Sequence, residues 1–76
     1  MEKLIAILKN INANIDWAAE TSLIDGGIID SFDMIALVGE LNDAFSVSVE
    51  LEHLEPENFN SVDAIAALLK SLGADV

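Results

Sequence analysis

The tripeptide Asp30-Ser31-Phe32 sets a hydroxyl nucleophile where an irregular stretch gives way to a helical apolar pattern. Three chemistries fit a serine in that place: the nucleophile of a hydrolase, a surface residue of an unmodified acidic helical adaptor, or the acceptor of a group attached by another enzyme. Hydrolysis asks most of the chain. It needs a base against the hydroxyl and a strained, glycine-flanked elbow, yet Ser31 lies in Ile29-Asp30-Ser31-Phe32-Asp33 and His53 is the sole histidine. His53 sits in an acidic connector and reads as a solvated side chain. No phosphate-binding glycine loop occurs, and Asp25, Asp30 and Asp33 lack the alternating spacing of a calcium loop. The chain therefore has candidates neither for catalysis nor for a resident metal. An acceptor serine needs less, because the modifying enzyme activates it.

Helices must position this serine. Downstream of it, Met34, Leu37, Val38, Leu41 and Phe45 recur with helical spacing, which predicts a helix from about Ser31 to Ala44. Asp30 is its expected N-cap, with Asp33 completing a box-like Asp-x-x-Asp pattern. Leu37, Leu41 and Phe45 are the inward stripe, flanked by Met34 and Val38, whereas Phe32, Ile35 and Gly39 fall toward another face. Upstream, Leu4, Leu8, Ile11 and Ile15 predict a first helix from Glu2, with asparagines at 10, 12 and 14 eroding it near residue 14. A long loop follows, and its Trp17, Leu23, Ile24, Ile28 and Ile29 are too apolar for a freely solvated connector. Val47-Ser48-Val49 alternates like a strand but has no second run to pair with, so it reads as an extended connector whose valines reach inward. Pro56 opens a short helical turn anchored by Leu54 and Phe59. Asn60 or Ser61 caps a last helix with Val62, Ile65, Ala66, Leu69 and Leu72 buried, and Gly73 ends it. The expected fold is all-α: a small four-helix bundle of three main helices and one short one, with a long loop between the first two.

The composition fits that architecture. Hydrophobic residues make up 53% of the 76-residue chain and aromatics only 5%, so aliphatic side chains must fill a small core, as they do between close-packed helices. The length implies one domain over residues 1–76. With no cysteine, any thiol chemistry must come from outside. Fourteen carboxylates against three lysines give a net charge of −11. That charge excludes phosphate-backbone recognition, which requires a basic face, and suits equally the solubility of a small protein and steering toward basic docking surfaces. The longest apolar run near the start, Leu4 to Leu8, is too short for a secretory or spanning segment, which predicts a monomeric cytoplasmic protein without membrane insertion.

The run from Leu23 to Leu69 resembles the acyl carrier protein family. The matching parts, in order, are Leu23-x-x-x-Gly27-x-x-Asp30-Ser31 followed by an apolar residue, the Leu41 and Phe45 pair, Val47-Ser48-Val49, a Pro-containing acidic connector, and Ser61-Val62 opening the final helix. The resemblance implies that Ser31 is esterified with 4′-phosphopantetheine, whose thiol carries cargo as a thioester, with Asp30 and Asp33 as its flanking motif. It also implies a docking surface at Phe32 and Ile35, rimmed by Glu40 and Asp43. The implied partners are a phosphopantetheinyl transferase, an acyl- or amino-acid-activating ligase, and a downstream acyltransferase or synthase. Fatty-acid, polyketide, peptide and cell-wall-related pathways all use such carriers. Phe32, Ala36, Gly39 and Asn42 depart from the housekeeping fatty-acid pattern. Gly26-Gly27 sits further upstream than in peptide-synthesis carriers. The stretch Pro56-Glu57-Asn58-Phe59-Asn60-Ser61 resembles stand-alone carriers, D-alanyl carriers among them.

Overall fold

The computed structural model describes residues 2–76, apart from the side chain of Leu51. Helix α1 spans Glu2–Ile11, α2 spans Ser31–Phe45, the single-turn α3 spans Pro56–Phe59, and α4 spans Val62–Ser71. A 3₁₀ turn, Leu51–His53, precedes α3, and no strand forms among the described residues. The fold is a small all-helical bundle. Helix α1 lies against α2 and α3 against α4, while buried side chains from all four join one cluster.

Periodicity explains which faces are buried. Leu4, Ile7 and Leu8 face inward from α1, Leu37 and Leu41 from α2, Phe59 from α3, and Val62, Ile65, Ala66, Leu68 and Leu69 from α4. Phe45 packs only partly against the core, and the Lys3 ammonium sits 5.0 Å above its ring. The same ammonium donates to the Ala44 carbonyl, so α1 supplies the positive charge that the last turn of α2 lacks. The loop of residues 12–30 is tacked down as its composition demands: Trp17, Leu23 and Ile29 are buried, and Ile24 and Ile28 partly so. Val49 is buried and Val47 partly, with the Val49 N–H donating to Asn42 Oδ1 at 2.8 Å.

Three expectations need correction. Helix α1 stops at Ile11 rather than near residue 14. Asn12 Oδ1 takes the Asn14 N–H and the Asn12 carbonyl takes the Trp17 indole N–H at 3.0 Å, bonds that compete with another helical turn. In α4 the apolar stripe is wider than one row: Leu68 is buried, while Leu72 has left the helix as its C-cap. There Gly73 takes φ +96°, with the Gly73 and Ala74 N–H groups donating to the Lys70 and Leu69 carbonyls, a glycine-ended Schellman motif. His53 is half-buried rather than solvated. Its Nδ1 accepts from the Glu50 N–H at 3.0 Å, which ties the 3₁₀ turn.

Candidate functional site

Backbone geometry puts Ser31 at the first position of α2, and Asp30 makes that start. Asp30 has an extended backbone, and its Oδ1 accepts from the Asp33 N–H at 2.9 Å while its carbonyl accepts from Met34. The box is one-sided, since the Asp33 carboxylate makes no hydrogen bond back to the Asp30 N–H. Because Asp30 serves as cap, the neighbouring hydroxyl is spared that work. Ser61 provides the contrast: it is itself the N-cap of α4, with Oγ accepting from the Ala64 N–H at 3.1 Å. Ser71 Oγ donates to the Leu68 carbonyl. Ser31 Oγ is exposed and has no hydrogen-bond partner among the described residues.

The surroundings of Ser31 are apolar and acidic. Phe32 is 82% exposed and Ile35 69%, the two large apolar side chains most open to solvent among the described residues. Glu40 and Asp43 are exposed on the same helix, and Asp33 is half-exposed. Gly39 lies within this surface with open space where a Cβ would stand. All the residues expected at the site thus lie on α2 or, for Asp30, at its N-cap. His53 is committed to the 3₁₀ turn, and no base contacts Ser31 among the described residues.

One further residue reaches this region from far away in sequence. Asn60, at the α3–α4 junction, accepts at Oδ1 from the Ile24 and Asp25 N–H groups, both at 3.0 Å, and donates from Nδ2 to Asp25 Oδ2 at 2.9 Å. Its carbonyl accepts from the Leu23 N–H at 3.0 Å. In the sequence Asn60 stands out only as a possible cap, because a side chain bonding to backbone about 35 positions away leaves no periodic trace. A cleft of about 260 Å³ between α1 and the start of α4, lined by Ile5, Ala18, Thr21, Ser61 and Val62, contains none of the site residues.

Ser31 thus presents an accessible hydroxyl at the start of α2. Residues 2–69 match the family described as the phosphopantetheine attachment site, and the chain belongs to that family. It is a carrier of the acyl carrier type, its cofactor is 4′-phosphopantetheine, and it is not an enzyme. No curated protein and no solved structure gives a significant match. The N–H groups of Ser31 and Phe32 precede Met34, the first N–H to donate within the helix turn, and the helix dipole favours an anion there by about 0.3–1 kcal/mol. Carrier domains of this kind work with transferases and synthases, and no helix of the described residues is long and apolar enough to cross a membrane.

Proposed function

We propose that Ser31 is the attachment residue and that the chain carries acyl or aminoacyl groups. The observation that carries this reading is the place of Ser31, exposed at the first position of α2 directly after the aspartate that caps the helix, whereas Ser61 uses its own hydroxyl as the cap of α4. The modifying transferase supplies the base, Ser31 Oγ supplies the nucleophile, and α2 holds it at a fixed start. When bound, the prosthetic group supplies the thiol that this cysteine-free chain lacks, on an arm long enough to keep cargo near whichever enzyme has docked. Asp30 and Asp33 repel the incoming phosphate, and Mg²⁺ delivered with the donor offsets that repulsion. Phe32 and Ile35 are the apolar anchors for partner enzymes, and Glu40 and Asp43 steer basic docking surfaces toward them. A dedicated ligase charges the thiol, and an acyltransferase or synthase unloads it.

Intact mass after incubation with coenzyme A and a broad-specificity phosphopantetheinyl transferase tests the reading. The wild type gains one phosphopantetheine and Ser31→Ala gains none. Modification that persists in Ser31→Ala moves the site elsewhere, and a wild type that stays unmodified favours the acidic adaptor.

A further inference from the structure

The stretch that delivers the chain to Ser31 is held by a side chain from the other end of the molecule. Asn60 Oδ1 uses both of its acceptor directions on consecutive amides, Ile24 and Asp25, and Nδ2 faces the Asp25 carboxylate. That pattern fixes the amide orientation, since a flipped Asn60 would set its NH₂ against two N–H donors and its oxygen against a carboxylate. The segment so held then closes on itself. The Leu23 carbonyl accepts from both the Ile28 N–H at 3.0 Å and the Ile29 N–H at 3.1 Å, and the Gly27 N–H donates to the Ile24 carbonyl at 3.0 Å. Leu23 and Ile29 are buried, and Asp30, the next residue, caps α2. A continuous series of satisfied amides thus runs from Leu23 to Ile29, two residues before Ser31.

We propose that Asn60 is a positioning residue for the modification of Ser31: it locks the 23–29 segment into the conformation in which the transferase recognises the carrier. The proposal rests on Ser31 being the attachment residue. Asn60 makes no hydrogen bond to the Ser31 hydroxyl, so it acts on recognition and leaves the chemical step alone. If the segment is released, only the fraction of molecules in the right conformation is competent, and the apparent affinity falls by that fraction. A merely structural asparagine would lower the melting temperature without this effect.

Three variants separate the two roles. Asn60→Ala deletes every side-chain bond of the clamp. Asn60→Asp keeps the acceptors but sets a carboxylate against Asp25. Combining Asn60→Asp with Asp25→Asn exchanges amide and carboxylate between the two positions, so the same bonds form with the polarity of one pair reversed. Transfer kinetics with coenzyme A and a purified transferase are measured at a temperature where melting curves show the variants folded, with amide exchange followed at Ile24 and Asp25. Asn60→Ala and Asn60→Asp are expected to raise KM for the carrier on the order of tenfold with kcat nearly unchanged, and to speed exchange at both amides. The exchanged pair is expected to recover most of the lost KM, and it carries the test alone if Asn60→Ala does not fold. The proposal is overturned by a wild-type KM in folded Asn60→Ala or Asn60→Asp, by an effect confined to kcat, or by an exchanged pair no better than Asn60→Asp. A wild type that accepts no phosphopantetheine overturns the Ser31 reading itself, and this proposal with it.

Discussion

Helices α2 and α4 begin alike and are used differently. Each has a side-chain N-cap, Asp30 or Ser61, that accepts from the backbone N–H three residues on. Yet α4 buries five of its ten residues, and α2 only two of its fifteen. The difference is not one of apolar content, because α2 also holds Phe32 and Ile35, which it leaves in solvent. Helix α4 spends its hydrophobic residues on the core, whereas α2 keeps a full face outside it, along with a mid-helix glycine that no packing requires. Such a division fits the proposed function, in which α4 holds the fold and α2 is read by partners.

The sharpest way to break this contrast is to truncate both kinds of apolar residue. Leu69→Ala and Leu41→Ala each remove a fully buried side chain and are expected to cost about 2–5 kcal/mol in urea denaturation. Phe32→Ala and Ile35→Ala are expected to change stability by less than about 0.5 kcal/mol, while each lowers kcat/KM for transfer about tenfold. If the exposed pair destabilises as much as Leu41→Ala, the outer face of α2 belongs to the core and the comparison fails. Finer resolution comes from the backbone of each helix. Ser61→Ala should destabilise by about 1 kcal/mol through loss of the cap, and Gly39→Ala should stabilise by about 1 kcal/mol through helix propensity alone. Thermal melts read both. The smallest effect lies in the acidic connector. Glu57 holds the Glu55 carboxyl above its ordinary pKa, first by a side-chain hydrogen bond and then by like-charge repulsion. A carboxyl with a raised pKa binds its proton more tightly in the folded state than in the unfolded one. The pair therefore opposes folding at neutral pH, and the opposition fades as pH falls through that raised value. Glu57→Gln should flatten this part of the stability profile in melts recorded at stepped pH.

What the sequence displays is whatever local spacing encodes. The starts of α2 and α4, the inward faces of Leu37, Leu41, Ile65 and Leu69, and the exposure of Phe32 and Ile35 all follow from helical periodicity and capping residues. The end of α1 is misjudged because Ile15 continues the apolar spacing beyond the point where Asn12 diverts the backbone. The 3₁₀ turn and the role of His53 are hidden because an imidazole nitrogen accepting from an N–H three residues away looks like any solvated histidine. Asn60 is the deepest omission at the site. Its bonds depend on the α3–α4 junction meeting the loop that precedes α2, which no local pattern in the sequence records.

Trp17 turns the same architecture into an optical instrument. It is the sole tryptophan, the chain has no tyrosine, and its indole is buried with the ring N–H bonded to the Asn12 carbonyl. Near-ultraviolet absorbance and long-wavelength emission therefore come from one fluorophore seated in the connector, away from the outer face of α2. Its emission should shift to the red when the core opens and stay put when an enzyme settles on Phe32 and Ile35. One cuvette can thus follow the unfolding of the carrier on its own without any label being attached.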